Sequence, residues 1–441
     1  MSSEHYPVHH HGIYHNLPTF PPSTKNLTAI ITGANGISGF ATLRALLDHP
    51  DRWSKIYTIS RSPPPAEMLN LLTPSQRSRI QHVPADFLQS PQTIAEPLKA
   101  SGVTADYIFF YSYLQPRPPA GSAPWANAQE LVRVNTALLT NFLSALSLCN
   151  IKPHRFALQT GAKNYGVHLG RIRTPAIESD PRVTLEPNFY YPQEDALWDW
   201  CARNNVEWNV IRPSWIIGAV KAAQMNALYP FAVYAAVAAH RGQPLVFPAD
   251  WSAWLMESHH ATARLTGYLT EWAVLEEKCR NEAFNAQDTS PLSFDRLWEE
   301  LVGWFGVEKG GVGPKEDESE MATVVGKGGS HNPVGGGPPV TLKFSFTLQH
   351  WAHQPENAAA WREIMAANPR VTVDPFQDVE GYFTFGDAAF GGVSQLSMNK
   401  ARRLGWTGFV DTSESIFEMY REMEGLGMLP RTKVDVARPL A

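Results

Sequence analysis

Cysteine is scarce in this chain, with three in 441 residues, at positions 149, 201 and 279. That is too few and too scattered for a disulfide framework or a cysteine metal site, and it suits a reducing compartment. An excess of one charge sign is lacking as well. Lys and Arg number 37 against 42 Asp and Glu, so the net charge of -5 offers no basic surface for nucleic acid or for anionic lipid. No unbroken apolar run reaches the roughly 18 residues of a bilayer span, and the first residues lack an apolar signal core. These absences set the expectation of a cytoplasmic protein with neither nucleic acid nor membrane as partner. What is present, 44% hydrophobic against 18% charged residues, is ordinary for a chain that buries a large core.

The most informative stretch is Ala29-Ile30-Ile31-Thr32-Gly33-Ala34-Asn35-Gly36-Ile37-Ser38-Gly39, where an apolar run meets three glycines at spacing three and then a helical pattern. It predicts a buried strand turning sharply into a helix. Gly33 makes the turn, Gly36 admits the backbone to a pyrophosphate and Gly39 packs helix on strand. The unpaired amides and dipole of the helix start favour an anion there. The spacing G-x-x-G-x-x-G resembles that of short-chain dehydrogenase/reductases.

Strands are expected at 55–60, 80–84, 105–113 and 155–161, each followed by helical or turn signals, with a long helix over 127–148. Alternation of strand and helix, with strands apolar at their centres, predicts an α/β fold: a doubly wound parallel Rossmann sheet with a smaller, mainly helical C-terminal substrate-binding region. We divide the chain into an arm at 1–26 on the surface, a nucleotide-binding domain at 27–218 and a substrate-binding region at 219–441. A glycine-rich insertion at 309–339, where no strand and helix frame the glycines, reads as a flexible linker. The histidines near the amino end have no acidic or cysteine partners at helical spacing, and no metal is expected.

Ligands of open α/β sheets sit outside the carboxyl ends of the strands, so those ends supply the cofactor candidates. They are Thr32, Gly33, Asn35, Gly36, Ile37, Gly39, Arg61, Ser62, Asp86, Phe87, Ser112, Tyr113, Gln159, Thr160, Gly161, Pro213 and Ile216. Arg61 ends the second strand where an acid would hold a free ribose hydroxyl, which favours NADP(H) over NAD(H). Asp86 either approaches the adenine or caps the helix that follows. Lys163 follows the 155–161 strand, and Tyr190-Tyr191 open a helix near 190–204. The usual reductase pairing of Tyr and Lys four apart is missing, since Glu194 and Asp195 occupy those positions.

Thr32-Gly33 with Gly36 and Gly39, Leu158-Gln159-Thr160-Gly161-Ala162-Lys163, Asn188-Phe189-Tyr190-Tyr191 with Glu194-Asp195, and Ile211-Arg212-Pro213 with Ile217-Gly218 resemble the progesterone 5β-reductase/iridoid synthase family. Asn281-Glu282-Ala283-Phe284-Asn285 and Leu404-Gly405-Trp406-Thr407-Gly408-Phe409 continue the likeness. The resemblance implies an atypical extended short-chain reductase that uses NADPH on activated double bonds, with Lys163 as active-site lysine and Tyr191, the second of the pair, as catalytic tyrosine. It also implies a departure at three places: Ser62 replaces a second arginine, Asn164 a histidine and Tyr113 a tryptophan.

Aromatic and apolar residues after Gly218 suggest a pocket for a small apolar enone or enal, with Tyr113, Tyr165, Met225 and Tyr229 as its expected lining. Two other readings stay open at this level, a cyclase or isomerase built on the reductase body and a non-catalytic NADPH sensor. The sensor is favoured if Lys163 and Tyr191 fail to converge. A homodimer is compatible with the sequence and nothing in it decides the matter.

Overall fold

A computed structural model describes residues 7–116, 127–170, 172–221, 225–325, 341–392 and 395–438. Seven segments pair into one parallel sheet: β1 (Leu27–Thr32), β2 (Trp53–Ser60), β3 (Ile80–Pro84), β4 (Tyr107–Phe110), β5 (Arg155–Gln159), β6 (Glu207–Pro213) and β7 (Glu282–Ala286). Their spatial order is β3-β2-β1-β4-β5-β6-β7. The direction of winding reverses between β1 and β4, so a crevice opens at the carboxyl ends there. β1 carries Ala29, Ile30 and Ile31 without exposure, as a strand covered on both faces should.

Helices α1 (Ile37–Leu47), α2 (Pro91–Ala100), α3 (Ala128–Leu148), α4 (Tyr190–Asn204), α5 (Tyr229–His240) and α6 (Ala263–Leu275) supply most of that cover. On one face α2, α3 and α4 bury Leu98, Phe142 and Trp200 against Ile108, Phe110 and Phe156 of the strands. Each such side chain contributes roughly 1.5–3 kcal/mol by leaving water. On the other face α1 lies against α6. Gly267 permits that approach, because a Cβ there would stand 3.0 Å from the Cα of Thr42. By length and composition α3 is apolar enough to cross a membrane, yet in the fold Leu131, Val134, Leu138, Leu139 and Leu143 are buried.

The remaining chain extends this core rather than forming a shell around it. The largest buried cluster runs from Ala29 and Phe109 of the sheet through the whole of Tyr229–Ala238 to Met428. α5 is buried almost all round, which is why its sequence shows no polar face. Helix α7 (Phe294–Phe305), α8 (Val379–Ala389) and α9 (Thr412–Gly425) join the same cluster, with Ile416, Met419 and Tyr420 of α9 buried.

Two expectations change. The amino-terminal arm is a hairpin, His9–His11 with Tyr14–Leu17, whose Tyr14 and Leu17 are buried and whose Tyr14 hydroxyl donates to Glu418 at 2.7 Å. The strand Tyr14–Leu17 is four residues long and buries only its first and last, which leaves no period of two in the sequence. Within the glycine-rich stretch, Gly311–Val312 pairs with Leu245–Val246, and Ala322–Val325 pairs with Thr341–Phe344. Residues 326–340 lie outside the described residues.

Candidate active site

A cavity of about 1560 Å³ follows the carboxyl edge of the sheet from the glycine turn to the C-terminal helices. At its β1 end lie Gly33, Asn35, Gly36, Ile37 and Gly39. Two of these glycines answer to the protein itself: Gly33 has φ +66°, and a Cβ at Gly39 would meet the Gly33 carbonyl at 2.3 Å. Gly36 differs. Its φ is -91°, and a Cβ would stand 3.4 Å from the Gly33 carbonyl oxygen, an ordinary contact, so the fold alone does not require a glycine there. No side chain caps α1 and no acid sits in its first turn, which leaves the helix amides to an anion.

The Asn35 side chain donates to the Ser62 carbonyl at 2.8 Å and accepts from Ser60 at 3.1 Å, holding the turn after β2 beside the glycines. Arg61 and Ser62 stand exposed at that rim with no acid at the end of β2. Asp86 and Phe87 line the cavity after β3. The Asp86 carboxylate accepts from the Leu88 amide at 3.0 Å, and the helix that follows is capped by Ser90 instead, which removes the simple cap reading. Further along, Ser112 and Tyr113 after β4, Gln159, Thr160 and Gly161 after β5, and Pro213 and Ile216 after β6 complete the wall. Gln159 Oε1 and Thr160 Oγ1 are buried with no hydrogen-bond partner among the described residues, so each retains an unused acceptor beside the cavity. These residues fit a dinucleotide.

Thr32 does not line the cavity. Fully buried, it uses Oγ1 to accept from the amides of Tyr111 and Ser112 at 3.1 and 3.2 Å, fixing the β1–β4 edge. Asn135 of α3 clamps the next turn, exchanging two 2.9 Å hydrogen bonds with the Leu114 backbone.

Lys163 occupies a short 3₁₀ turn, Ala162–Tyr165, that opens from Gly161, and it lines the cavity. Burial pushes its amine down to about 7, against the attraction of Glu186. The expected partner is elsewhere. The Tyr191 hydroxyl accepts from the Val183 amide at 2.8 Å and donates to the Asn164 carbonyl at 2.8 Å, and Tyr191 is not part of the lining. Its neighbour Tyr190 is. The Tyr190 hydroxyl lies where a Cβ on Gly161 would be 2.9 Å away, and burial drives its ionisation far above the ordinary range. A phenol in that state keeps its proton at neutral pH and serves as a donor.

Asn188 joins the two segments, donating to the Lys163 carbonyl at 3.0 Å and accepting from the Tyr190 amide at 3.0 Å. Gln193, one turn beyond Tyr190, also faces the cavity, so the face of α4 is set by 190 and 193. Tyr191 falls about 100° round the helix and meets Asn164 instead. That was the available signal: helical spacing from a residue known to face the ligand, which the sequence did not identify.

Of the expected substrate lining, Tyr113 and Met225 are there. Tyr113 is 39% exposed at the mouth and stacks on Phe189 at 5.6 Å. Tyr165 points inward, its hydroxyl donating to Asn285 at 2.6 Å, and Tyr229 is fully buried with its hydroxyl on the Met428 carbonyl at 3.2 Å. Residues not anticipated include Trp215, Met256, Glu257, His259 and Phe385. They come from three segments, at 215, 256–259 and 385, and share no motif.

A family model described as a PRISE-like Rossmann-fold domain matches residues 29–327. The short chain dehydrogenase gsfE of Penicillium aethiopicum is 29% identical over 410 residues, spanning 92% of this chain and 99% of that protein. The 3-oxo-Delta(4,5)-steroid 5-beta-reductase of Arabidopsis thaliana is 25% identical over 422 residues, 93% of this chain and 95% of that one. Among solved structures, the terminal R domain from the myxalamid PKS-NRPS biosynthetic pathway superposes with a TM-score of 0.55 at 14% identity, covering 92% of both chains, a likeness of fold.

Proposed function

The chain belongs to the PRISE-like Rossmann-fold family and is an oxidoreductase of the short-chain dehydrogenase/reductase type, and on that premise we propose that it uses NADPH to reduce the activated C=C bond of a small apolar enone or enal. The observation that carries this reading is that Tyr190, whose hydroxyl lies beside Gly161, and Lys163, two residues beyond that glycine, line one cavity. NADPH rather than NADH follows from Arg61 at the rim, where a cation suits a ribose phosphate and no acid competes.

The glycine turn and the first amides of α1 would hold the pyrophosphate, and Gln159 and Thr160 would meet polar groups nearer the reacting end. When bound, the nicotinamide supplies the hydride. Tyr190 directs its O–H at the substrate carbonyl. As hydride bonds to the β-carbon and the double-bond electrons shift to that oxygen, the hydrogen bond strengthens, an effect worth about 3 kcal/mol for a well-placed donor in a site poor in water. A proton from solvent then bonds to the α-carbon as the enolate collapses to the saturated carbonyl. The Lys163 amine, pushed down to about 7, is divided between ammonium and amine at neutral pH, and its cationic form favours the developing negative charge. Asn188 keeps both groups in register.

NADPH consumption with cyclohexenone and larger apolar enones tests the reading, with Tyr190→Phe and Tyr191→Phe as a pair. We expect loss of turnover in the first and its retention in the second. Turnover that survives Tyr190→Phe and vanishes in Tyr191→Phe would return the catalytic role to Tyr191. NADPH binding with no consumption of any enone would favour the sensor.

A further inference from the structure

Beyond the reducing centre, the cavity wall carries a second polar pair. After the short helix Trp251–Leu255 the chain runs extended. Ser258 and His260 line a separate small cleft, whereas Glu257 and His259 line the main cavity. Two backbone hydrogen bonds of 3.0 Å between Ser258 and Leu292 hold the segment, and His260 pairs in register with Trp215. His259 is 8% exposed, and its Nδ1 is buried with no hydrogen-bond partner among the described residues. The same cavity lining also carries Val220, Met225, Met256 and Phe385.

Charge on the described lining is divided. Arg61 and Lys163 stand at the nucleotide rim and the reducing centre, and the carboxylates are Asp86, at the adenosine end, and Glu257. A carboxylate beside an imidazole offers an acceptor and a donor together and repels an anion. We propose that Glu257 and His259 form a second polar station that receives a hydroxyl group, so that the substrate is a neutral, largely apolar enone or enal bearing a hydroxyl in addition to its conjugated carbonyl. This rests on the proposed reduction for the carbonyl and goes beyond it in naming the second function.

The test is made on full-length protein loaded with NADP, by calorimetric titration with 2-decalone and with a hydroxylated 2-decalone. These saturated ketones report occupancy without turnover. The hydroxylated ketone should bind about 10- to 100-fold more tightly, the range expected of hydrogen bonds to charged groups. Glu257→Gln should reduce that ratio and His259→Phe should bring it close to one; Glu257 is exposed, so its variant remains folded if the histidine variant does not. Equal binding of the two ketones by the unaltered protein, or a ratio unchanged in Glu257→Gln, would overturn the station. A preserved preference with no NADPH consumption on any enone would instead overturn the reduction and leave the station standing.

Discussion

The two ends of the cavity are built in opposite ways. At the nucleotide end, seven consecutive residues from Gly33 to Gly39 form a turn, and their requirements are local: a positive φ at Gly33 and a carbonyl 2.3 Å from any Cβ at Gly39. At the substrate end, Trp215, Met225, Met256 with His259, and Phe385 arrive from four segments and line one cavity only because the fold brings them together. One end is written by the backbone and the other by packing. Tyr190 and Lys163 sit at the join, and the lesson there is that neighbours in sequence, Tyr190 and Tyr191, serve the two different demands.

The sharpest way to break this contrast is at the tyrosine pair. Tyr190→Phe should lower kcat/KM by about 10²- to 10³-fold, the size of losing a donor to a developing oxyanion. Tyr191→Phe should leave kcat/KM within about threefold and lower stability by about 1–3 kcal/mol, because the Val183 amide and the Asn164 carbonyl lose their buried partner. Steady-state kinetics and urea unfolding on both variants separate the outcomes, and exchanged phenotypes would show that the facing in the structure is not the working one.

A second contrast tests whether the glycines differ as their surroundings say. Gly39→Ala should fail to accumulate as folded protein or unfold several degrees lower, since its methyl meets the Gly33 backbone. Gly36→Ala should fold with a melting temperature close to the parent and bind NADP more than about tenfold less tightly. Comparable loss of stability in both would mean that the protein, and not its ligand, demands Gly36.

Lys163 sharpens the comparison through pH. Its amine titrates near 7 in the folded chain and near its ordinary 10.5 when unfolded, so between those values the unfolded state binds more protons. Stability contributed by this group therefore rises from about pH 7 toward pH 10 and is absent below 7, where both states are protonated. Unfolding midpoints at pH 7 and pH 9.5 should show this gain in the parent and lose it in Lys163→Met. An identical pH response in the two proteins would refute the buried amine.

The smallest effect is expected at the rim. Arg61→Glu should cut the preference for NADPH over NADH by about tenfold, as one exposed charge-assisted contact is lost, with little change in thermal stability. An unchanged cofactor ratio would move the ribose phosphate to other residues.

Much of the nucleotide end was legible from the chain alone. Strand β1, the turn and α1 follow from an apolar run, three glycines and helical periodicity, and five of the seven sheet strands fall where alternation places them. Thr32 shows the limit even here, because motif membership could not tell a ligand contact from a hydroxyl that ties β1 to β4. Tyr165 and Tyr229 show a larger one. Both are aromatic and lie near the pocket in sequence, yet their hydroxyls find Asn285 and the Met428 carbonyl, partners 120 and 199 residues away.

By itself, then, the amino-acid sequence determined the parallel α/β sheet, the anion-binding turn and the presence of a lysine and a tyrosine pair after β5. Those properties depend on φ, spacing and periodicity, which act within about ten residues. Only the tertiary structure decided that Tyr190 and not Tyr191 enters the cavity, and that Glu257 and His259 share its far wall. Which side of a helix or strand meets a cavity is set by the elements packed against its other side, and those lie hundreds of residues along the chain.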